Sequence, residues 1–108
     1  MENIKFEDWK KLDLRIGKIL KIEEIETADR LYKLKINLGD EERTIVAGLK
    51  KYYSKEELIG KKCVIFCNLE PRTIKGIESQ GMILAAVDSH NIQILKPFED
   101  IKTGSKIS

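Results

Sequence analysis

Between Tyr32 and Leu38, every second side chain is apolar, and this alternation constrains the fold more than any other part of the sequence. A period of two is typical of a β-strand with one buried face and one solvent-facing face. The buried set is Tyr32, Leu34, Ile36 and Leu38, and the solvent-facing set is Lys33, Lys35 and Asn37. Gly39-Asp40 then predicts a turn, and Arg43 to Ala47 predicts the returning strand of a hairpin.

Four further segments have the composition of strands. Residues 14–25 are rich in β-branched side chains, and a phase slip at Gly17–Lys18 predicts a strand that bends at the glycine. Residues 63–67 and 81–87 are short and apolar on both faces, which predicts two strands covered on both sides. Residues 91–95 alternate again, which predicts an additional strand near the carboxyl end.

Two short helices accompany the predicted strands. Ser54 precedes two glutamates, a pattern typical of a capped helix whose first turn is acidic. Phe6, Trp9 and Leu12 recur at every third position, which predicts a helix over about residues 5–12 with one apolar edge.

The order of these elements predicts the fold class. Five principal strands with a helix between the third and the fourth is the order of an OB barrel. Strands that are apolar on both sides also favour a closed sheet, which covers them from both directions. We therefore expect an all-β, five-stranded Greek-key barrel of the OB type, with a short N-terminal helix and extra C-terminal strands. A length of 108 residues predicts a single domain over residues 1–108.

Composition excludes several classes of protein. Twenty basic residues oppose 18 acidic ones, for a net charge of +2, so any nucleic-acid partner must be held by a local basic patch. No segment approaches the roughly 18 apolar residues that predict a membrane span. The first residues contain no hydrophobic block typical of a secretory signal. The sequence therefore predicts a cytoplasmic protein without a membrane partner.

The chain contains no recognisable catalytic or metal-binding pattern. Cys63 and Cys67 would lie roughly 13 Å apart on a strand, beyond the ~7 Å limit for a disulfide, so we interpret both as core residues. His90, the single histidine, falls in a polar turn, and Ser79 lacks the glycine frame of a nucleophilic serine. We expect no catalytic residue, no metal and no cofactor.

The most promising functional surface combines a strand face with a loop. Lys33 and Lys35 share one face, with Arg43 across the hairpin, and residues 68–80 form a long polar loop with a small hairpin at Lys75-Gly76. OB barrels bind oligonucleotides on this face and with this loop. The loop supplies Asn68, Arg72, Lys75, Ser79 and Gln80. Aromatic side chains for base stacking are scarce there, which favours a folded RNA read by its backbone and shape.

Five motifs carry a family resemblance. They are Asp13-Leu14-Arg15-Ile16-Gly17-Lys18-Ile19, Ala28-Asp29-Arg30-Leu31-Tyr32, Ile45-Val46-Ala47-Gly48-Leu49, Asn68-Leu69-Glu70-Pro71-Arg72 and Gly76-Ile77-Glu78-Ser79-Gln80-Gly81-Met82. In this order, over about residues 9–108, the chain resembles the tRNA-binding OB domain that is appended to methionyl-tRNA synthetases and also occurs as small free-standing proteins. The Glu-Ser-Gln-Gly-Met run is the most specific of these motifs.

The resemblance implies a non-catalytic protein that binds folded tRNA, either free-standing or as a β subunit that assists methionyl-tRNA synthetase. The implied tRNA contacts are Lys33, Lys35, Asn68, Arg72, Lys75, Ser79, Gln80 and Met82. The family also dimerises through both ends of the domain, which implicates Phe6, Trp9, Pro97, Phe98 and the rest of residues 97–108. The alternative for the N-terminal helix is that it only covers its own barrel.

Two observations bear on which branch of the family the chain resembles. Family members often have His-Pro before the Ala-Asp motif, whereas this chain has Ile25-Glu26, and the acidic side chain would weaken phosphate attraction there. A related branch acts as an export chaperone that binds unfolded polypeptide and lacks the Ser-Gln-Gly-Met run. That run favours the tRNA branch, and polypeptide binding in the same groove is the alternative function.

Overall fold

The chain forms nine strands and two single-turn helices in a computed structural model that describes residues 1–108. The elements are α1 (Phe6–Trp9), β1 (Leu14–Ile25), β2 (Ala28–Asn37), β3 (Glu42–Ala47), α2 (Lys55–Leu58), β4 (Lys62–Phe66), β5 (Arg72–Ile74), β6 (Ile77–Ser79), β7 (Met82–Ile83), β8 (Ala85–Val87) and β9 (Ile92–Ile94). Each helix has four residues, so neither is long enough to cross a membrane.

An antiparallel sheet of five strands forms the centre of the molecule, in the order β3-β2-β1-β4-β7. The predicted hairpin is confirmed, because β2 pairs with β3 from Tyr32 opposite Ala47 to Asn37 opposite Glu42. The apolar positions of β2 are buried and its lysines lie on the opposite face, as the alternation predicts. The all-β class and the helix between the third and fourth principal strands are confirmed.

Strand β1 pairs with two neighbours because it bends over the core. Residues 14–18 pair with β4, and from Lys18 onward the strand pairs with β2. The burial phase changes at Gly17, where a Cβ atom would lie 2.6 Å from Ile36 Cγ2 and 2.7 Å from Ile65 Cγ1. A register shift follows between Ile19 and Lys21. The bend therefore needs glycine because core side chains occupy the space of a β-carbon.

The outer strands of the sheet, β3 and β7, do not pair with each other in a continuous hydrogen-bond ladder. Residues 79–81 connect them instead. The Val46 N–H donates to Ser79 Oγ at 2.9 Å, and the Gln80 N–H donates to the Thr44 carbonyl at 2.8 Å. This segment continues directly into β7, which pairs with β4. It therefore connects the free edge of β3 to the far side of the sheet.

Thirteen buried residues form the core inside the curved sheet, among them Ile36, Ile65 and both cysteines. The thiols of Cys63 and Cys67 are free and buried, as predicted, and burial raises the pKa of Cys63 to about 12. A thiol with so high a pKa stays protonated and unreactive at neutral pH.

Helix α2 begins as predicted, with a capping box at Ser54. Ser54 Oγ accepts from the Glu57 N–H, and the Glu57 carboxylate accepts from the Ser54 N–H. Helix α1 is shorter than predicted: only Phe6–Trp9 is helical, and turns continue the chain to Leu12.

The prediction of one buried strand over residues 81–87 is wrong. The segment forms β7 in the main sheet and β8 in a separate hairpin with β9, and Val87 is 70% exposed. The β8–β9 hairpin confirms the expected extra C-terminal strands. Residues 104–107 run along the edge of β1, where the Ile16 N–H donates to the Ser105 carbonyl at 2.8 Å.

Candidate nucleic-acid interface

The outer face of β2 and its neighbour β1 carries three lysines around one carboxylate. Lys33 lies opposite Glu23 and Lys35 lies opposite Lys21 in the register of the two strands. Lys21 Nζ forms an ion pair with Glu23 Oε1 at 3.1 Å. The hydrogen bond from Lys21, then its charge and that of Lys33, lowers the pKa of Glu23. We call these four residues the lysine face; it has an excess of positive charge that attracts phosphate.

Lys21 is the functional candidate that sequence reasoning missed. Its position follows from the register shift after Ile19, which turns Lys21 to the same side as Lys35. Arg43, expected to extend the basic face, instead turns toward Glu41 and backbone carbonyls and is half-buried. Its charge is already satisfied within the protein.

The polar loop forms the predicted small hairpin, in which β5 pairs with β6. Lys75 and Gly76 make the turn with φ of 51° and 78°, so Lys75 takes a backbone conformation that residues other than glycine rarely adopt. Arg72 and Lys75 are both exposed, and neither forms an ion pair within the chain. The hairpin therefore presents two free cations to solvent.

Three of the predicted contact residues are engaged inside the protein. Asn68 accepts from the Asp13 N–H at 2.8 Å and donates to the Lys11 carbonyl at 2.6 Å. Ser79 is only 5% exposed, and the Gln80 side chain accepts from the Thr44 N–H at 3.3 Å. These polar side chains hold segments of the fold in place, and their contact with a ligand stays a prediction.

A groove of about 350 Å³ lies between β3, the β5–β6 hairpin and the β7–β9 region, and most of its lining is apolar. Met82 is 42% exposed in it, with Arg72 and Glu70 among the lining residues. The groove thus combines a flexible apolar side chain with a free guanidinium. Methionine side chains adapt to apolar partners, and guanidinium groups bind phosphate.

The predicted dimer residues are exposed or half-buried in the single chain. Phe6 is 71% and Phe98 is 101% exposed, while Trp9 and Pro97 are half-buried. Helix α1 contains no fully buried residue, and both interpretations of it, a dimer element or a cover for its own barrel, stay predictions. Exposed aromatic side chains of this kind mark surfaces that a partner can cover.

The chain is similar to known proteins over nearly its whole length. Residues 14–106 match the model of a family described as "Putative tRNA binding domain". The chain belongs to this tRNA-binding family. It is 53% identical over 107 residues to a methionine–tRNA ligase of Pyrococcus horikoshii, covering 99% of this chain and 15% of that protein. The chain thus spans about a seventh of the length of the relatives of this kind.

Solved structures show the same fold. A MetRS-related protein from Pyrococcus horikoshii superposes with a TM-score of 0.93 at 33% identity, covering all of both chains. The CsaA chaperone from Bacillus anthracis superposes with a TM-score of 0.89 at 31% identity, covering 99% of this chain and 100% of that one. The family predicted from the five motifs is confirmed, and a MetRS-related protein and a chaperone both share this fold.

Proposed function

We propose that this chain binds folded tRNA by shape and phosphate contacts, without catalysing a reaction. The observation that carries the proposal is the lysine face, in which Lys21, Lys33 and Lys35 surround a single carboxylate. With a net charge of only +2 for the whole chain, this concentration of cations is the local patch that RNA binding requires. Membership of the tRNA-binding family supports the choice of RNA.

The lysine face and the apolar groove lie on neighbouring strands. Lys35 on β2 pairs with Thr44 on β3, and Thr44 exchanges hydrogen bonds with Gln80, two residues before Met82. A ligand can therefore contact both without crossing the molecule. In the proposed interface Lys33, Lys35, Arg72, Lys75 and Met82 touch tRNA, while Asn68, Ser79 and Gln80 shape the surface that presents them.

The mode of recognition follows from which aromatic side chains are available. Tyr32, on the strand that carries the lysines, is buried and its hydroxyl donates to the Tyr53 carbonyl at 2.8 Å. Single-strand binders gain roughly 1–3 kcal/mol for each base that stacks on an aromatic ring, and this strand offers none. Contacts with phosphates and with the outline of a folded molecule suit such a surface better.

Further parts of the proposal concern the context of the domain. We propose an OB-type barrel that works in the cytoplasm as a homodimer through Phe6, Trp9, Pro97 and Phe98. The 53% sequence identity to a segment of a methionine–tRNA ligase supports a role beside that enzyme, either as a β subunit or as a free-standing tRNA-binding protein. The Glu26 side chain is exposed between β1 and β2, where it would repel a phosphate that approached that loop.

Salt-dependent binding to total tRNA tests the proposal. About four phosphate contacts per protomer predict a slope of log K against log salt near −3, and duplex DNA should compete poorly. Arg72→Ala and Lys75→Ala should each weaken all tRNAs similarly and make the slope less steep by about 0.7 to 0.9. Lys51→Ala, an exposed lysine beside α2, is the matched control. A flat salt response, or a loss confined to one tRNA, would contradict phosphate-based binding.

A second candidate function is binding of unfolded polypeptide, as in a chaperone. The mainly apolar lining of the groove and the structural similarity to the CsaA chaperone favour it. Binding of a reduced, unfolded protein with no measurable affinity for tRNA would establish this function. Binding of tRNA without binding of that protein would exclude it.

A further inference from the structure

Residues 79–81 lie in a narrow space between β3 and β4. Gly81 has a φ of +137°, and a Cβ atom there would lie 2.8 Å from the Phe66 carbonyl oxygen. Ser79 and Gln80 are held to β3 by backbone and side-chain hydrogen bonds. We call residues 79–81 the closing segment, since they fill the gap between β3 and β4. Met82 follows immediately, so its placement depends on them.

Arg43 crosses this gap. Its Nη1 donates to the Cys67 carbonyl just beyond β4 and, at 3.4 Å, to the Gln80 carbonyl in the closing segment. Its Nε donates to Glu41 Oε1 at 2.7 Å, and only 23% of the side chain is exposed. One side chain thus joins β3, the end of β4 and the closing segment.

We propose that Arg43 is a positioning residue of the tRNA interface: it fixes the closing segment so that Met82 faces the same ligand as the lysine face. This inference rests on the proposed function for its effect on tRNA, and on the hydrogen bonds alone for its effect on the segment.

Arginine is required because of its geometry. The guanidinium uses two separate nitrogens, Nε for the Glu41 carboxylate and Nη1 for the two backbone carbonyls, and the single nitrogen of a lysine ammonium cannot occupy both positions. Arg43→Lys keeps the charge, so any defect must come from lost geometry. Lys35→Gln removes a proposed phosphate contact and serves as the contrasting variant.

Salt titration separates positioning from contact. Arg43→Lys should weaken tRNA binding about tenfold with the salt slope of the wild type, because no phosphate contact is lost. Lys35→Gln should weaken binding and make the slope less steep by about 0.7 to 0.9. A reduced slope for Arg43→Lys would make it a contact residue, and unchanged affinity would remove its role in the interface. Either result overturns the proposal.

Amide hydrogen exchange tests the same residue without tRNA. In Arg43→Lys the Gln80 N–H, which bonds the Thr44 carbonyl, should exchange about tenfold faster or more. The Leu34 N–H in the core strand should keep its wild-type rate. Unchanged exchange at Gln80 would overturn the proposal even if Arg43→Lys bound tRNA more weakly. If the wild type bound no tRNA, the proposed function would fail, and exchange alone would decide whether Arg43 fixes the segment.

Discussion

At the scale of single residues, the polar side chains of the candidate site have different roles, since some face solvent and others bond to the protein itself. Lys33 and Lys35 face solvent as the alternation predicts, but Asn68, Ser79 and Gln80 direct their polar atoms to the protein itself. Residue type predicts that a side chain will form hydrogen bonds, but not which partner it will find. Partners depend on residues far away in the chain, so the sequence could not separate ligand contacts from internal ones.

Gly17 should be among the least replaceable residues. Gly17→Ala places a methyl group against Ile36 and Ile65, and overpacking of this kind costs about 1–3 kcal/mol of unfolding free energy. Urea denaturation followed by circular dichroism measures the change. Gly48→Ala is the control, since its nearest neighbour would be 3.9 Å away, and it should change stability by no more than about 0.5 kcal/mol. Equal effects of the two substitutions would disprove the steric argument.

Asp13 should make the free energy of unfolding depend on pH in the acid range. Arg15 donates two hydrogen bonds of 2.9 Å to its carboxylate, which lowers the pKa of Asp13 below its ordinary value of 3.8. A lowered pKa in the folded state stabilises the protein above the unfolded pKa, and the contribution is lost as pH falls through the folded pKa.

Asp13→Asn should therefore cost about 1 kcal/mol near neutral pH, where the partly exposed pair is weakened by solvent. The difference from the wild type should shrink as the pH falls below the ordinary value of 3.8 and through the lowered pKa of the folded state, because the wild-type carboxylate then becomes protonated. Unfolding free energies of both proteins across this range provide the measurement. A constant difference at every pH would show that the charge of Asp13 contributes nothing.

At the scale of elements, the paired strands β1 and β2 combine attraction and repulsion on one face. Glu23 lies among three lysines, so it neutralises part of the charge available to phosphate. The alternation in β2 was enough to predict Lys33 and Lys35, but the register shift in β1 has no clear sequence signal. Lys21 and Glu23 therefore became visible only in the paired strands.

Glu23→Gln should tighten tRNA binding. Removal of one negative charge from an exposed cluster is expected to raise affinity about two- to fivefold at low salt, and less at high salt. Filter binding at two salt concentrations measures this effect. Glu56→Gln on α2, which removes a charge outside the interface, should leave affinity unchanged. Weaker binding by Glu23→Gln would mean that the carboxylate holds Lys21 in a required orientation.

The segment after β6 shows where reasoning about elements fails. Residues 81–87 are apolar almost throughout, and this composition predicts one buried strand. The chain instead leaves the main sheet after Ile83 and begins a second hairpin at Ala85. Met82 and Val87 line the groove and do not pack in the core. An apolar run cannot reveal whether its side chains fill a core or line an open surface.

At the scale of the whole molecule, both ends of the chain carry exposed aromatic side chains while the centre is well packed. Phe6, whose ring centroid lies 5.8 Å from Lys10 Nζ, and Phe98 are both largely exposed in the single chain. Sequence patterns alone could not predict a dimer interface at these residues, because the exposure of an apolar residue is known only once the fold is known. The family resemblance was the one source for this prediction.

Replacement of these aromatics should abolish self-association. Sedimentation at micromolar concentration should give the wild type twice the mass of the 12.4 kDa chain, and Phe6→Ser with Phe98→Ser should give the mass of one chain. Tyr52→Ser, at an exposed aromatic residue beside α2, is the control and should remain dimeric. A monomeric wild type would exclude the proposed dimer.

The complete burial of Cys63 has a practical consequence. Alkylating reagents can reach this sulfur only when the strands around it separate, so the rate of labelling counts spontaneous opening events under native conditions. Cys63 thus reports the opening of the core without an engineered label, and a ligand that binds only the closed protein should slow its alkylation.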